Sequence, residues 1–303
     1  MPSKLYVDVD MKTSSSDSRS RDHIPELDGV RGIAVLMVLL VHLKSPVIPG
    51  IPMGPGMHGV DLFFYLSGFL ITRIRMYEQE QGISLLPFWI RRGCRIFPAA
   101  YLCLLLIWMT FGGTYHLLMA ATYTSTFDLG LFDDDNRMAS HFWTLSVEEQ
   151  FYLLWPFFLY LPMRFLKFIS LFSCIGFAAL FVIHGALGRL WGEGEDIYHL
   201  LNYQVFTRGW PLMAGSFIAI VEPSLKVSPE KLFRYALATL AAGISIKIVA
   251  FRGKHLPIDL TTFGWFGMQI AMLGIFLWAL WLSYTRRKSF LTNSVLVWVG
   301  QIS

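Results

Sequence analysis

Arginine, histidine and glutamate recur inside or at the edges of apolar runs in this chain, where a charge or an imidazole is costly and therefore informative. Arg31 and His42 both lie in the run Gly29–Leu43. They are eleven positions apart, so at about 100° per residue they share one helix face, roughly 16 Å apart along the axis. A neutral imidazole in that setting can accept a proton, which is the work of a general base. A snorkelling arginine and a histidine bonded to a neighbouring helix account for the same two residues without chemistry.

Arg91-Arg92-Gly93-Cys94-Arg95-Ile96-Phe97-Pro98 is the second pattern. Arg92 and Arg95, three apart, fall on one side of a helix. A pair of guanidinium groups can grip the phosphates of a nucleotide-containing donor in a bidentate way. Arginine-rich span ends on the cytosolic side are also common for topological reasons alone. The third pattern is His141-Phe142-Trp143-Thr144-Leu145-Ser146-Val147-Glu148-Glu149-Gln150-Phe151-Tyr152. Ser146 and Glu149 fit a capping box at a helix start. That leaves Glu148, one turn from Tyr152, to orient a catalytic histidine or to hold an acceptor hydroxyl. Three weaker candidates are Asp28 just before Arg31, Asp61 in Gly59–Gly68, and Arg208 early in an apolar run. Asp61 reads as another buried carboxylate or simply as a helix-start residue, and Arg208 wants a partner or serves as structural glue. No glycine-rich phosphate loop, G-x-S-x-G elbow, H-E-x-x-H or paired-cysteine spacing occurs, so no metal is expected.

These residues must be positioned by helices in a membrane. Of 303 residues, 54% are apolar and 15% charged, and mean hydropathy is +0.51, whereas soluble domains carry about a quarter charged residues. At about 20 residues per span, the chain is an all-α polytopic transmembrane bundle of about nine to ten spans. Apolar runs are read at Gly29–Leu43, Val60–Thr72, Ile96–Phe111, Thr144–Leu161, Phe165–His184, Tyr203–Val221, Leu232–Phe251 and Phe263–Tyr284. Leu117–Phe127 reads as a half-span or interfacial helix. A last run starts at Phe290 and, at about 21 Å of helix to Ser303, is too short to cross, so the final span is read as truncated.

Arg73, Arg75, Arg91, Arg92, Arg95, Arg164, Lys167, Lys226, Lys231, Arg234, Arg286, Arg287 and Lys288 fall in one alternating set of breaks. The positive-inside rule sets that face and the N-terminus in the cytosol of a cell (inner or plasma) membrane protein. The net charge of +4 is then a topology signal, and no nucleic-acid partner is expected. Residues 1–23 are polar and serine-rich and read as a disordered cytosolic tail, with the membrane domain over 24–303. Cys94, Cys103 and Cys174 make no disulfide framework.

Pro25-Glu26-Leu27-Asp28-Gly29-Val30-Arg31-Gly32 through His42 resembles the opening of the acyltransferase-3 family, membrane O-acyltransferases of surface polysaccharides and related acceptors. Gly59–Thr72, Arg91–Pro98 and His141–Pro156 follow in the family's order, and Phe206–Ala219 is a looser fit. The resemblance covers Pro25 to Ser303. It implies that Arg31 and His42 form the family's essential pair and that Arg92 and Arg95 face a cytosolic acyl-CoA. Glu148 would lie toward the acceptor. Apart from the resemblance, Asp28, Asp61, Ser146, Tyr152 and Arg208 are read as supporting residues. The implied reaction moves an acyl group, acetyl by expectation, from acyl-CoA as co-substrate to a hydroxyl of an extracytoplasmic glycan, with no bound cofactor. Membrane lipids, acyl-CoA and the glycan are the expected partners. Family members continue past Gly300-Gln301-Ile302-Ser303 with a further span. Intramembrane Arg, His and Glu also suit a proton-coupled transporter, though no inverted repeat is evident. A third reading is a non-catalytic remnant of the acyltransferase.

Overall fold

The computed structural model describes residues 24–42, 54–113, 115–127, 137–187, 205–225, 227–253, 261–287 and 289–303, and among these the regular structure is helical throughout. The helices are α1 (Pro25–His42), α2 (Gly54–Glu80), α3 (Leu85–Phe111), α4 (Tyr115–Ala121), α5 (Trp143–Phe158) and α6 (Met163–Leu187). They continue with α7 (Val205–Arg208), α8 (Trp210–Leu225), α9 (Pro229–Arg252), α10 (Thr261–Thr285) and α11 (Ser294–Ile302). The amino-terminal tail lies outside the described residues.

Local chemistry accounts for the helix ends. Pro25 opens α1 with Glu26 and Asp28 in the first turn, where a fixed φ and negative charge suit the exposed N–H groups. Gly82, at φ 71°, turns the chain out of α2, while the Ile83 N–H bonds the Glu78 carbonyl at 2.8 Å. Gly112, at φ 68°, ends α3 with its N–H on the Trp108 carbonyl. Ser228 caps α9 through the Lys231 N–H, with Pro229 just inside. Asn293 caps α11 through the Val295 N–H.

Four helices are long and apolar enough to cross a membrane: Leu85–Phe111, Met163–His184, Pro229–Arg252 and Thr262–Thr285. α1 carries Glu26, Asp28 and Arg31 within one turn and a half, and α5 and α8 have 16 residues each, so these do not stand out by length and composition. The seven-residue α4 folds back on α3 and is too short to cross, which agrees with a half-span over Leu117–Phe127. Leu102, Leu105, Leu106 and Met109 of α3 and Phe168, Phe172 and Ile175 of α6 point outward, as lipid-facing residues do. The chain is a multi-pass membrane protein.

Two apolar clusters share α2. One joins Leu27, Val30 and Ala34 of α1 to Tyr65, Leu66 and Phe69 of α2 and to Met272, Phe276 and Ala279 of α10. The other joins Phe64 and Ile71 of α2 to Val147, Phe151 and Trp155 of α5 and Leu212 and Ile220 of α8. α2 is therefore the axis of the bundle. Glycines let its neighbours approach at backbone distance: a Cβ on Gly68 would collide with the Leu212 carbonyl, and one on Gly215 with the Tyr65 carbonyl. α11 seats on α1 in the same way, through Gly32 and Gly300, and Gly29 meets Leu291 in the turn before it.

The α2–α3 corner is held by charge. Glu78 accepts from both Arg75 and Arg91, and Arg75, 1% exposed, lies 5.5 Å from the Phe88 ring. Removing one partner of a buried pair leaves the other charge uncompensated, which costs about 3–5 kcal/mol. Glu78→Ala is expected to lower the unfolding temperature of the purified protein in detergent well below that of an exposed Glu80→Ala control. Equal melting curves would refute the corner's role.

Candidate active site

Glu148 and Tyr152 sit four apart on α5 and share a face. Ser67 of α2 enters between them. Its hydroxyl donates to Glu148 Oε1 at 2.8 Å and accepts from the Tyr152 hydroxyl at 3.0 Å. The Tyr152 backbone carbonyl is held in turn by the Trp89 indole N–H of α3 at 3.1 Å. The Arg92 guanidinium lies over the Tyr152 ring, 4.7 Å from its centre. Arg31 approaches from α1, its NH1 3.9 Å from Asp28 Oδ1, and both Arg31 and Arg92 act electrostatically on the Glu148 carboxylate. In a site poor in water such attractions are stronger than on a surface.

Arg92 and Arg95 divide their work although they lie one turn apart. Arg92 faces α5, whereas Arg95 donates to the carbonyls of Gln301 at 2.9 Å and Ser303 at 3.2 Å on α11. Gln301 Nε2 also reaches Asp28 Oδ2 at 3.4 Å. Arg31 lies within electrostatic range of both Arg92 and Arg95. Three guanidinium groups thus converge at the Pro25 end of α1, together with Asp28, Glu148 and Tyr152. The sequence reading sets Glu148 apart from the arginines; in the structure it lies within electrostatic range of Arg31 and Arg92. His42 is the last residue of α1, and its side chain lies outside the described ones. Along the helix it is about 16 Å from Arg31.

Two expectations about helix starts are corrected. Ser146 is not a capping residue: the 3-10 turn Arg137–Phe142 runs directly into α5 at Trp143, so Ser146 falls inside the helix. Its hydroxyl back-bonds to the Phe142 carbonyl at 3.0 Å and is fully buried. Asp61 is not a helix start, because α2 begins at Gly54, two turns earlier. Arg208 ends the short α7 with its guanidinium 5.8 Å from the Trp143 ring and 5.2 Å from the Phe181 ring, tying α5 to α6 through cation–π contacts.

Ser67 went unmarked in sequence because a serine in an apolar helix has many bland explanations. Its place depends on Gly68, which lets α8 close on α2. Gly68→Ala forces a Cβ into the Leu212 carbonyl, and such overpacking costs about 1–3 kcal/mol. The variant is expected to stay folded in detergent yet lose most of the activity that depends on Glu148 and Arg31. Activity equal to the parent's would show that Ser67 need not be held there.

Asp61, a candidate in the sequence, is buried, and the sequence reading did not name its partners. His58 Nδ1 lies 2.9 Å from Asp61 Oδ2, and Asp61 Oδ1 accepts from Gln269 Nε2 of α10 at 3.0 Å. Gln269 Oε1 accepts from the Trp210 indole N–H at 2.9 Å, and the Gln269 carbonyl accepts from the Tyr65 hydroxyl at 3.1 Å. His58 and Asp61, three apart on one helix, were the available signal; Gln269 is 208 positions from Asp61.

A family profile described as an acyltransferase domain matches residues 24–303. A protein named peptidoglycan O-acetyltransferase OatA from Listeria monocytogenes is 31% identical over 253 residues, which is 77% of this chain and 39% of that protein. One from Bacillus subtilis, named "Putative peptidoglycan O-acetyltransferase YrhL", is 32% identical over 261 residues, 78% of this chain and 40% of its own length. The chain therefore spans about two fifths of the curated relatives it matches. No solved structure matches it.

Proposed function

This chain belongs to the acyltransferase-3 family, and on that premise we propose that it is the membrane part of an O-acetyltransferase, moving an acetyl group from cytosolic acetyl-CoA to a hydroxyl of an extracytoplasmic glycan. The meeting of Arg31, Arg92 and Arg95 near Asp28, Gln301 and Tyr152 is the observation that supports this reading. A cluster of guanidinium groups is costly in an apolar bundle and suits the phosphates of a nucleotide-bearing donor. Asp28, Glu148, Ser67 and Tyr152 set their positions and balance part of their charge. The names of the relatives support acetyl as the acyl group and peptidoglycan as the glycan.

In this reading residues 24–303 form the membrane domain behind a cytosolic tail, with the N-terminus and the arginine-rich breaks on the cytosolic side of the cell membrane. α1, α2, α5 and α8 cross along with the four longer apolar helices, and α11 begins a ninth crossing. The pantetheine arm of the donor runs from the arginine cleft along α1. Its thioester meets His42 near the far end, where the glycan hydroxyl arrives. His42 takes the hydroxyl proton or briefly carries the acetyl group, since an alcohol is a poor nucleophile until it is deprotonated.

The test is release of free CoA from acetyl-CoA by membranes carrying the full chain, with and without peptidoglycan fragments. Glycan-dependent release above that of control membranes is the expected result. Glycan-independent or absent release under all conditions would end this reading.

A further inference from the structure

The His58–Asp61 pair is not needed to explain donor binding. It lies on α2 nine positions from Ser67, half a turn out of phase, and so faces α10 rather than α5. His58 is 2% and Asp61 3% exposed, and Gln269 is fully buried. Apolar residues fill such a space at least as stably as a polar network does, so a polar network here asks for a use. Both Asp61 oxygens are engaged, one by Gln269 and one by His58. A carboxylate on Nδ1 fixes the tautomer with Nδ1 protonated, which leaves Nε2 as the accepting nitrogen.

The depth of the pair matters as well. Gly59, next to His58, packs on Ala34, Met37 and Val38 of α1. Val38 is four residues, about 6 Å, from His42. Ala34 is three residues, about 4.5 Å, from Arg31, so the His58–Asp61 pair lies beside the middle of α1, between Arg31 and His42.

We propose that His58, held by Asp61 and Gln269, is the base that takes the proton of the acceptor hydroxyl, leaving His42 to face the thioester. This rests on the acetyl-transfer reading above. The hydroxyl O–H bond breaks as its oxygen bonds the acetyl carbonyl carbon, and the proton moves to His58 Nε2. The carbon–sulfur bond breaks, and the departing CoA thiolate regains one proton, so the hydroxyl proton ends on the CoA thiol. Asp61 and Gln269 are positioning residues. The Trp265 ring lies beside His58, its centre 4.9 Å from the imidazole, and Lys247 of α9 has its Nζ 5.8 Å from the Trp265 ring. Tyr65 of α2 is coupled electrostatically to Asp61, α8 supplies Trp210 to the network, and α1 brings Met37 and Val38.

The experiment is the rate of CoA release with acetyl-CoA and peptidoglycan fragments, followed against pH in membranes carrying the full chain. His58→Gln is expected to lower kcat by about 10²–10⁴-fold and to flatten the rise of rate with pH, with KM for acetyl-CoA unchanged. Asp61→Asn is expected to lower kcat with a displaced pH profile, and added imidazole to restore part of the rate of His58→Ala. That rescue separates a chemical role from a structural one if His58→Gln packs poorly. A His58→Gln protein with the parent's rate and pH profile, or His58→Ala without rescue, overturns the inference and leaves acetyl transfer standing. A parent chain that releases no CoA takes down acetyl transfer itself.

Discussion

His42→Ala is expected to abolish glycan-dependent CoA release while leaving acetyl-CoA bound. His42 ends α1, about three turns from Arg31, so in the proposed reaction the donor phosphates and the reacting thioester would be served by different ends of one helix. Deleting a group that works on the thioester or on the acceptor proton removes transition-state stabilisation, a loss of about 10²–10⁴-fold in kcat. In the proposed reading affinity for the phosphates rests on Arg31, Arg92 and Arg95, so it should change little. Binding of radiolabelled acetyl-CoA to membranes, measured beside turnover, separates the two. Full turnover in His42→Ala would remove His42 from the chemistry whichever of its two roles is preferred.

The opposite split is expected for Arg31→Ala. Arg31 is the innermost of the converging guanidinium groups, with its side chain 14% exposed beside Asp28 and within range of Glu148 and Tyr152. Truncating one partner of a desolvated charged contact costs about 2–5 kcal/mol, which is a rise of about 30- to 5,000-fold in the KM for acetyl-CoA, with kcat affected less. Arg31→Lys should recover little of it, because a compact ammonium cannot reproduce the planar fork. The same substitution also leaves Asp28 and Glu148 less balanced, so a lower unfolding temperature is expected. Relief of that loss in the double variant Arg31→Ala, Glu148→Gln would show that the two groups are coupled. A KM unchanged in Arg31→Ala would mean that the donor does not enter through this cleft.

The pairing of Arg31 with His42, and of Arg92 with Arg95, is legible from spacing, because a single helix fixes the angle and rise between its own residues. The membrane character follows from composition just as directly, since few soluble folds can hide so much apolar surface. Helix ends were less legible. Asp61 and Ser146 were read as starting residues because their types favour caps, yet α2 and α5 begin earlier, where a run from Gly54 and the turn Arg137–Phe142 already set the helical path.

What lies across helices was decided by packing alone. Ser67 bridges Glu148 and Tyr152 because Gly68 and Gly215 let α2 and α8 meet at their backbones while the other face of α2 turns to α5. Glu148 joins Arg31 and Arg92 rather than standing apart, and Gln269 reaches Asp61 from 208 positions away. Spacing carries angles within a helix but no information about which helices adjoin. That choice rests on how small side chains and apolar faces fit together, and only the folded bundle expresses it.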